Sequence, residues 1–70
     1  MNENLIAQIK QARLKANLSQ EELAALANIS RRPIYLLESG RGTIKLETLI
    51  RILDALGLDL AIVAKSAKHD

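Results

Sequence analysis

The 70-residue chain predicts a mainly α fold of four short helices followed by one short C-terminal strand. Three observations lead there. Apolar residues recur at helical spacing in four separate runs. Each run stops at a residue suited to a left-handed backbone: Asn17, Asn28, Gly40 and Gly57. After Gly57 the period changes to alternation, the signature of an extended segment.

Helix 1 is expected over Glu3 to Ala16, with Leu5, Ile6, Ile9, Ala12 and Ala16 as its apolar stripe and Gln8, Lys10, Gln11 and Lys15 toward water. Leu18 then precedes Ser19 as a hydrophobic staple, and Ser19 with Glu22 forms a capping box that starts helix 2, Gln20 to Ala27. Its inward residues are expected to be Leu23, Leu26 and Ala27. Asn28-Ile29-Ser30 makes a tight turn, with Ser30 expected to cap helix 3, Arg31 to Ser39. Ile34 and Leu37, with Leu36 beside them, face the core of that helix. Pro33 fits in its first turn, where a missing N–H costs nothing. After the Gly40–Thr43 loop, helix 4 runs from Lys45 or Leu46 to Leu56, with Leu46, Leu49, Ile50, Leu53 and Leu56 as the expected buried stripe.

In residues 58–64, Leu58, Leu60 and Ile62 alternate with Asp59, Ala61 and Val63. A lone strand cannot satisfy its own backbone groups, and nothing else in the chain resembles a second strand. The expected solution is pairing with the same strand of a second copy, with Leu58, Leu60, Ile62 and Val63 as dimerisation residues. The alternative is a fifth short helix; β-branched Ile62 and Val63 favour extension. Residues 65–70 read as a flexible tail, so residues 1–70 are expected to form one domain.

Composition narrows the function. A chain this short buries only about 60% of its unfolded surface and has no cysteine to staple it, so a dense aliphatic core or oligomerisation must stabilise it. No signal peptide is recognisable, and the longest apolar stretch, Leu56 to Ala64, is short and contains Asp59, so a cytoplasmic protein without membrane contact is expected. Enzymatic readings fare poorly. His69, the only histidine, lies in the tail, no Gly-rich phosphate loop is present, and adjacent Glu21 and Glu22 suit a helix start better than acid–base pairing. No cofactor and no metal is expected. The net charge is +2, yet from Ser30 to Lys45 the arginines and lysine (Arg31, Arg32, Arg41, Lys45) face only Glu38, a local balance of +3. The excess positive charge therefore sits on helix 3 and the loop after it, the footprint of a DNA-contacting surface.

Helices 2 and 3, joined by their tight turn, form a helix-turn-helix arrangement in which the second helix can enter a DNA major groove. Arg31 and Arg32 open that helix, and the planar fork of arginine can donate two hydrogen bonds to guanine O6 and N7. Tyr35, one turn on, suits a phosphate through its hydroxyl, a thymine methyl through its ring, or half-buried packing. Ser19 and Ser30 offer hydroxyls to phosphates at the helix starts.

SQEELA, then NIS, then a helix ending in ESG, and later LETLIRILDALGL, resemble the Cro/repressor-type (XRE-like) helix-turn-helix family over nearly the whole chain. The resemblance implies a compact lambda-repressor-like fold. It implies base reading by Arg31 and Arg32, phosphate binding by Gln20, and a backbone-clamping loop of Arg41, Thr43 and Lys45. It also implies a structural ion pair between Arg13 and Glu38. Leu36 departs from the family's frequent polar residue, so either it touches a thymine methyl or base reading ends sooner here. The segment TIKLETLIRILDALGLDLAIV resembles HipB-like antitoxins, in which a strand follows the last helix. The expected function is therefore a homodimeric repressor binding double-stranded DNA at a palindromic operator, with a HipA-like toxin kinase as second partner. A stand-alone regulator, for example of phage type, and a protein-interaction module on the same fold are the alternatives.

Overall fold

A computed structural model describes residues 3–65. It contains four helices, α1 (Glu3–Lys15), α2 (Gln20–Ala27), α3 (Arg32–Ser39) and α4 (Leu46–Ala55). The principal packing is of α2 on α4 and of α1 on α3, with α3 also against α2. Their shared core consists of Ile9, Leu23, Ala24, Ile34, Leu37, Leu49, Ile52 and Leu53, with Leu5, Ile6, Leu18, Ile29, Ile44 and Leu58 packed around it.

All four helices end by the same device. Each terminates in a residue with positive φ: Asn17 (59°), Asn28 (58°), Gly40 (74°) and Gly57 (73°). At each, two hydrogen bonds close the end: Leu18 N–H reaches Arg13 O (3.1 Å) and Asn17 N–H reaches Leu14 O (3.0 Å) after α1, and Leu58 N–H reaches Leu53 O (2.8 Å) and Gly57 N–H reaches Asp54 O (3.1 Å) after α4. The Ile29–Ala24 and Arg41–Leu36 bonds, both 3.0 Å, do the same after α2 and α3. These are Schellman endings, and after Asn17, Asn28 and Gly57 the next residue turns an apolar side chain back toward the core, whereas Arg41, after Gly40, stays exposed. Leu18, Ile29 and Leu58 are all half-buried for this reason.

Several expectations are corrected. Ser30 does not cap α3. Arg31 occupies the N-cap position with helical dihedrals (−71°, −27°), and no side chain closes that end. Pro33 removes one of the N–H groups that would have needed a cap. Leu26 (62% exposed), Leu46 (61%) and Ile50 (41%) lie on the surface, as does Ala16, while Ile52, absent from the expected stripe, is fully buried. On α4 the sets 46, 49, 50, 53 and 49, 52, 53, 56 have identical i, i+3, i+4, i+7 spacing. Packing against α2 selects the second.

No strand forms among the described residues of the single chain, and residues 58–65 are not helical either. Leu58 packs on the core, but Leu60 (48% exposed), Ile62 (98%) and Val63 (81%) do not. A ladder needs a second strand, which one chain does not supply. Residues 66–70, most of the expected tail, lie outside the described residues, as does His69.

Candidate nucleic-acid interface

The site is built around the junction of α1, α2 and α3. At its base is Arg13, whose side chain is 9% exposed, facing Glu38, whose side chain is 4% exposed. The pair is bidentate: Nε donates to Glu38 Oε2 at 2.7 Å and Nη2 donates to Oε1 at 2.8 Å. Arg13 Nη1 donates to Leu18 O at 2.7 Å, so the guanidinium also fixes the α1–α2 turn. Burial alone would push the Glu38 carboxyl up. Hydrogen bonds from Arg13 and Gln20, with the charges of Arg13 and Lys10, outweigh it and hold the group below its ordinary value. The Arg13 pKa is raised, chiefly by its hydrogen bond to Glu38.

The network continues outward. Gln20, the first residue of α2, donates from Nε2 to Glu38 Oε1 at 3.1 Å. Its own Oε1 accepts from Arg31 Nε at 3.1 Å. The amide is thereby oriented, with oxygen toward Arg31 and nitrogen toward Glu38. Beyond it the Arg31 guanidinium carbon lies 5.9 Å from the centroid of the Tyr35 ring, within cation–π range. Arg31 is thus held at Nε and flanked by an aromatic ring. The rest of its fork, bearing Nη1 and Nη2, is not engaged in any bond among the described residues.

Three openings surround these residues. A cleft of about 260 Å³ is lined by Arg31, Arg32 and Tyr35. A second, of about 380 Å³, is lined by Arg13, Ser19, Gln20, Glu21 and Arg31. The third, about 330 Å³, runs between the starts of α3 and α4 and brings Ser30, Arg32, Thr43 and Lys45 together beside Leu36. Arg31 joins the first two and Arg32 joins the first and third, so the openings form one continuous, cationic face. Arg41 stands off this groove, beside a smaller recess lined by Leu36 and Gly40. Ser19 Oγ accepts from Glu22 N–H at 3.0 Å, and Glu22 Oε1 accepts in return from Ser19 N–H at 2.8 Å. The hydroxyl proton of Ser19 remains available to donate.

Arg31, Arg32, Tyr35, Ser30, Arg41, Thr43 and Lys45 are exposed, whereas Gln20 and Leu36 are half-buried. Leu58, Leu60, Ile62 and Val63 line none of these openings. Sequence reading missed Pro33 and Thr48 as groove residues. The available signal for Thr48 was its place one turn after Lys45, on the same side of α4's first turn. Among the described residues no three His, Cys, Asp or Glu side chains gather where they could hold a metal ion. No helix among them is long and apolar enough to cross a membrane.

Comparison with known proteins agrees with this arrangement. The helix-turn-helix family profile matches residues 9–63. An uncharacterized HTH-type transcriptional regulator of Sinorhizobium fredii is 34% identical over 63 residues, covering 90% of this chain and 83% of the relative. A buried Arg–Glu base, a capped second helix and a third helix with two arginines at its outward tip thus coincide with a match over most of the chain, and the protein belongs to the Cro/repressor-type helix-turn-helix family.

Proposed function

We propose that this chain is a sequence-specific repressor that reads an inverted-repeat operator as a homodimer and acts as the antitoxin of a HipA-type kinase. DNA binding in transcription regulation follows from the family. The more specific reading is supported above all by Arg31, which is exposed at the tip of α3 with Nε tied to Gln20 and its outer edge open. An arginine already held in place loses less side-chain entropy on meeting a guanine than a freely rotating one. Arg32 provides a second cation on the same tip. Ser30, Thr43 and Lys45 flank it in the groove toward α4, where a phosphate strand would pass.

The homodimer is supported by the segment after Leu58, in which Leu60, Ile62 and Val63 are exposed and the backbone lacks a ladder among the described residues. Pairing two such segments across a twofold axis would place two α3 helices on one DNA face, with half-sites roughly 10 base pairs apart or a multiple of that. The antitoxin role rests on the HipB-like pattern of residues 43–63.

Selection from random duplex DNA tests the operator reading. An enriched inverted repeat with guanine in each half-site is expected, lost when Arg31→Ala and Arg32→Ala are combined. Enrichment of no sequence would refute it. Co-expression with a HipA-type kinase tests the antitoxin role: a stable complex that suppresses kinase activity is expected, and absence of both would refute that role while leaving the repressor reading intact.

A further inference from the structure

We infer that Arg31 and Tyr35 together read a two-base step, a guanine beside a 5-methylpyrimidine, so that 5-methylcytosine can replace thymine there and cytosine methylation tunes operator affinity. The inference rests on α3 being the base-reading helix and specifies what it reads. With Nε engaged by Gln20 Oε1 at 3.1 Å, Arg31 can meet a base only through its outer edge, where Nη1 and Nη2 present two parallel N–H groups. Guanine O6 and N7 are the base edge that accepts both.

Tyr35 is then fixed relative to that guanine. Its ring centroid lies 5.9 Å from the Arg31 guanidinium carbon, and Arg31, Arg32 and Tyr35 line one open cleft of about 260 Å³. Stacked bases are about 3.4 Å apart along a strand, so a ring this near the guanidinium is within reach of the base beside that guanine. Tyr35 is 44% exposed and lines that cleft, so its ring carbon is available for an apolar contact there. On the major-groove edge of an unmodified duplex the one apolar group is the C5 methyl of thymine. Cytosine has hydrogen at that carbon, and methylation gives it the group thymine carries.

The test uses the full chain and the duplex recovered by selection. The guanine read by Arg31 is the one at which Arg31→Ala loses discrimination. At the flanking position, thymine is compared with deoxyuridine and 5-methylcytosine with cytosine, so that each comparison changes one methyl group. Binding about 4-fold tighter with the methyl is expected in both comparisons. Tyr35→Ala should abolish both differences and Tyr35→Phe should keep them; Tyr35 is exposed enough for either variant to fold. Methyl differences below about 1.5-fold, or differences that persist in Tyr35→Ala, would overturn the inference. So would loss of both methyl differences in Tyr35→Phe, which would assign the preference to the hydroxyl and not to the ring. If selection enriches no sequence, the operator reading fails too; enrichment with indifference to the methyl refutes this inference alone.

Discussion

At the junction of α1, α2 and α3 the polar groups find partners within the chain: Leu18 O, Arg13, Glu38, Gln20 and Arg31 form one continuous run of hydrogen bonds. After Gly57 the chain follows the opposite course. Leu58 is drawn back by the helix ending, and from there Leu60, Ile62 and Val63 project away from the core. The first region is complete as a monomer and differs from an ordinary surface only in the unengaged edge of Arg31. The second is incomplete, with apolar side chains in water and no ladder among the described residues. Readiness to bind a ligand and readiness to bind a second copy therefore look different. One shows as preorganised polar groups, the other as backbone and hydrocarbon left without partners.

The sharpest break in this comparison is at the base of the first region. Arg13→Ala or Glu38→Ala should lower unfolding free energy by about 3–5 kcal/mol in denaturant titrations, because each leaves its partner's charge stranded. The same pair sets an acid dependence. Its carboxylate has a depressed pKa, so its contribution is complete above the ordinary glutamate value of 4.5 and is lost as pH falls through the lower native value. Glu38→Gln should flatten that acid limb of the stability curve. An unchanged limb would mean that other carboxylates control it.

Core truncation comes next. Ile52→Ala should cost about 2–5 kcal/mol, since Ile52 is fully buried between the packed helices. In the second region, Ile62→Lys combined with Val63→Lys should weaken self-association by at least about tenfold in sedimentation while leaving helix content unchanged. A dimer that persists would remove the segment from the interface. A smaller effect is expected from Gln20→Ala, about 3- to 10-fold weaker operator binding with little loss of stability, because Arg31 keeps its contacts but loses its guide. Smallest of all, Leu26→Gln should change stability by no more than about 0.5 kcal/mol, since Leu26 is already 62% exposed.

The elements were legible because their boundaries are local chemistry. The capping box at Ser19 and the asparagines and glycines that end the helices can be read without knowing what lies across the core. The facing of α4 could not be read that way. Two stripes of equal spacing compete on it, and only the position of α2 decides between them. Leu26 was misplaced for a related reason: on a helix of eight residues, Ala24 and Leu26 are both apolar, and the smaller one faces the tight contact. At the site, the basic residues at the tip of α3 were evident from charge. The Gln20 link was not, because its direction depends on Arg31 and Glu38 approaching one amide from opposite sides. The groove position of Thr48 likewise exists only once α4 is seated beside α3.

Fluorescence anisotropy on the selected duplex and on a scrambled one, across a salt series, puts the tip of α3 to the most direct test. The wild-type chain should prefer the selected duplex strongly, and the Arg31→Ala, Arg32→Ala double variant should retain weak, salt-sensitive binding to both while losing the preference. Equal preference in the two proteins would contradict the assignment of base reading to these arginines.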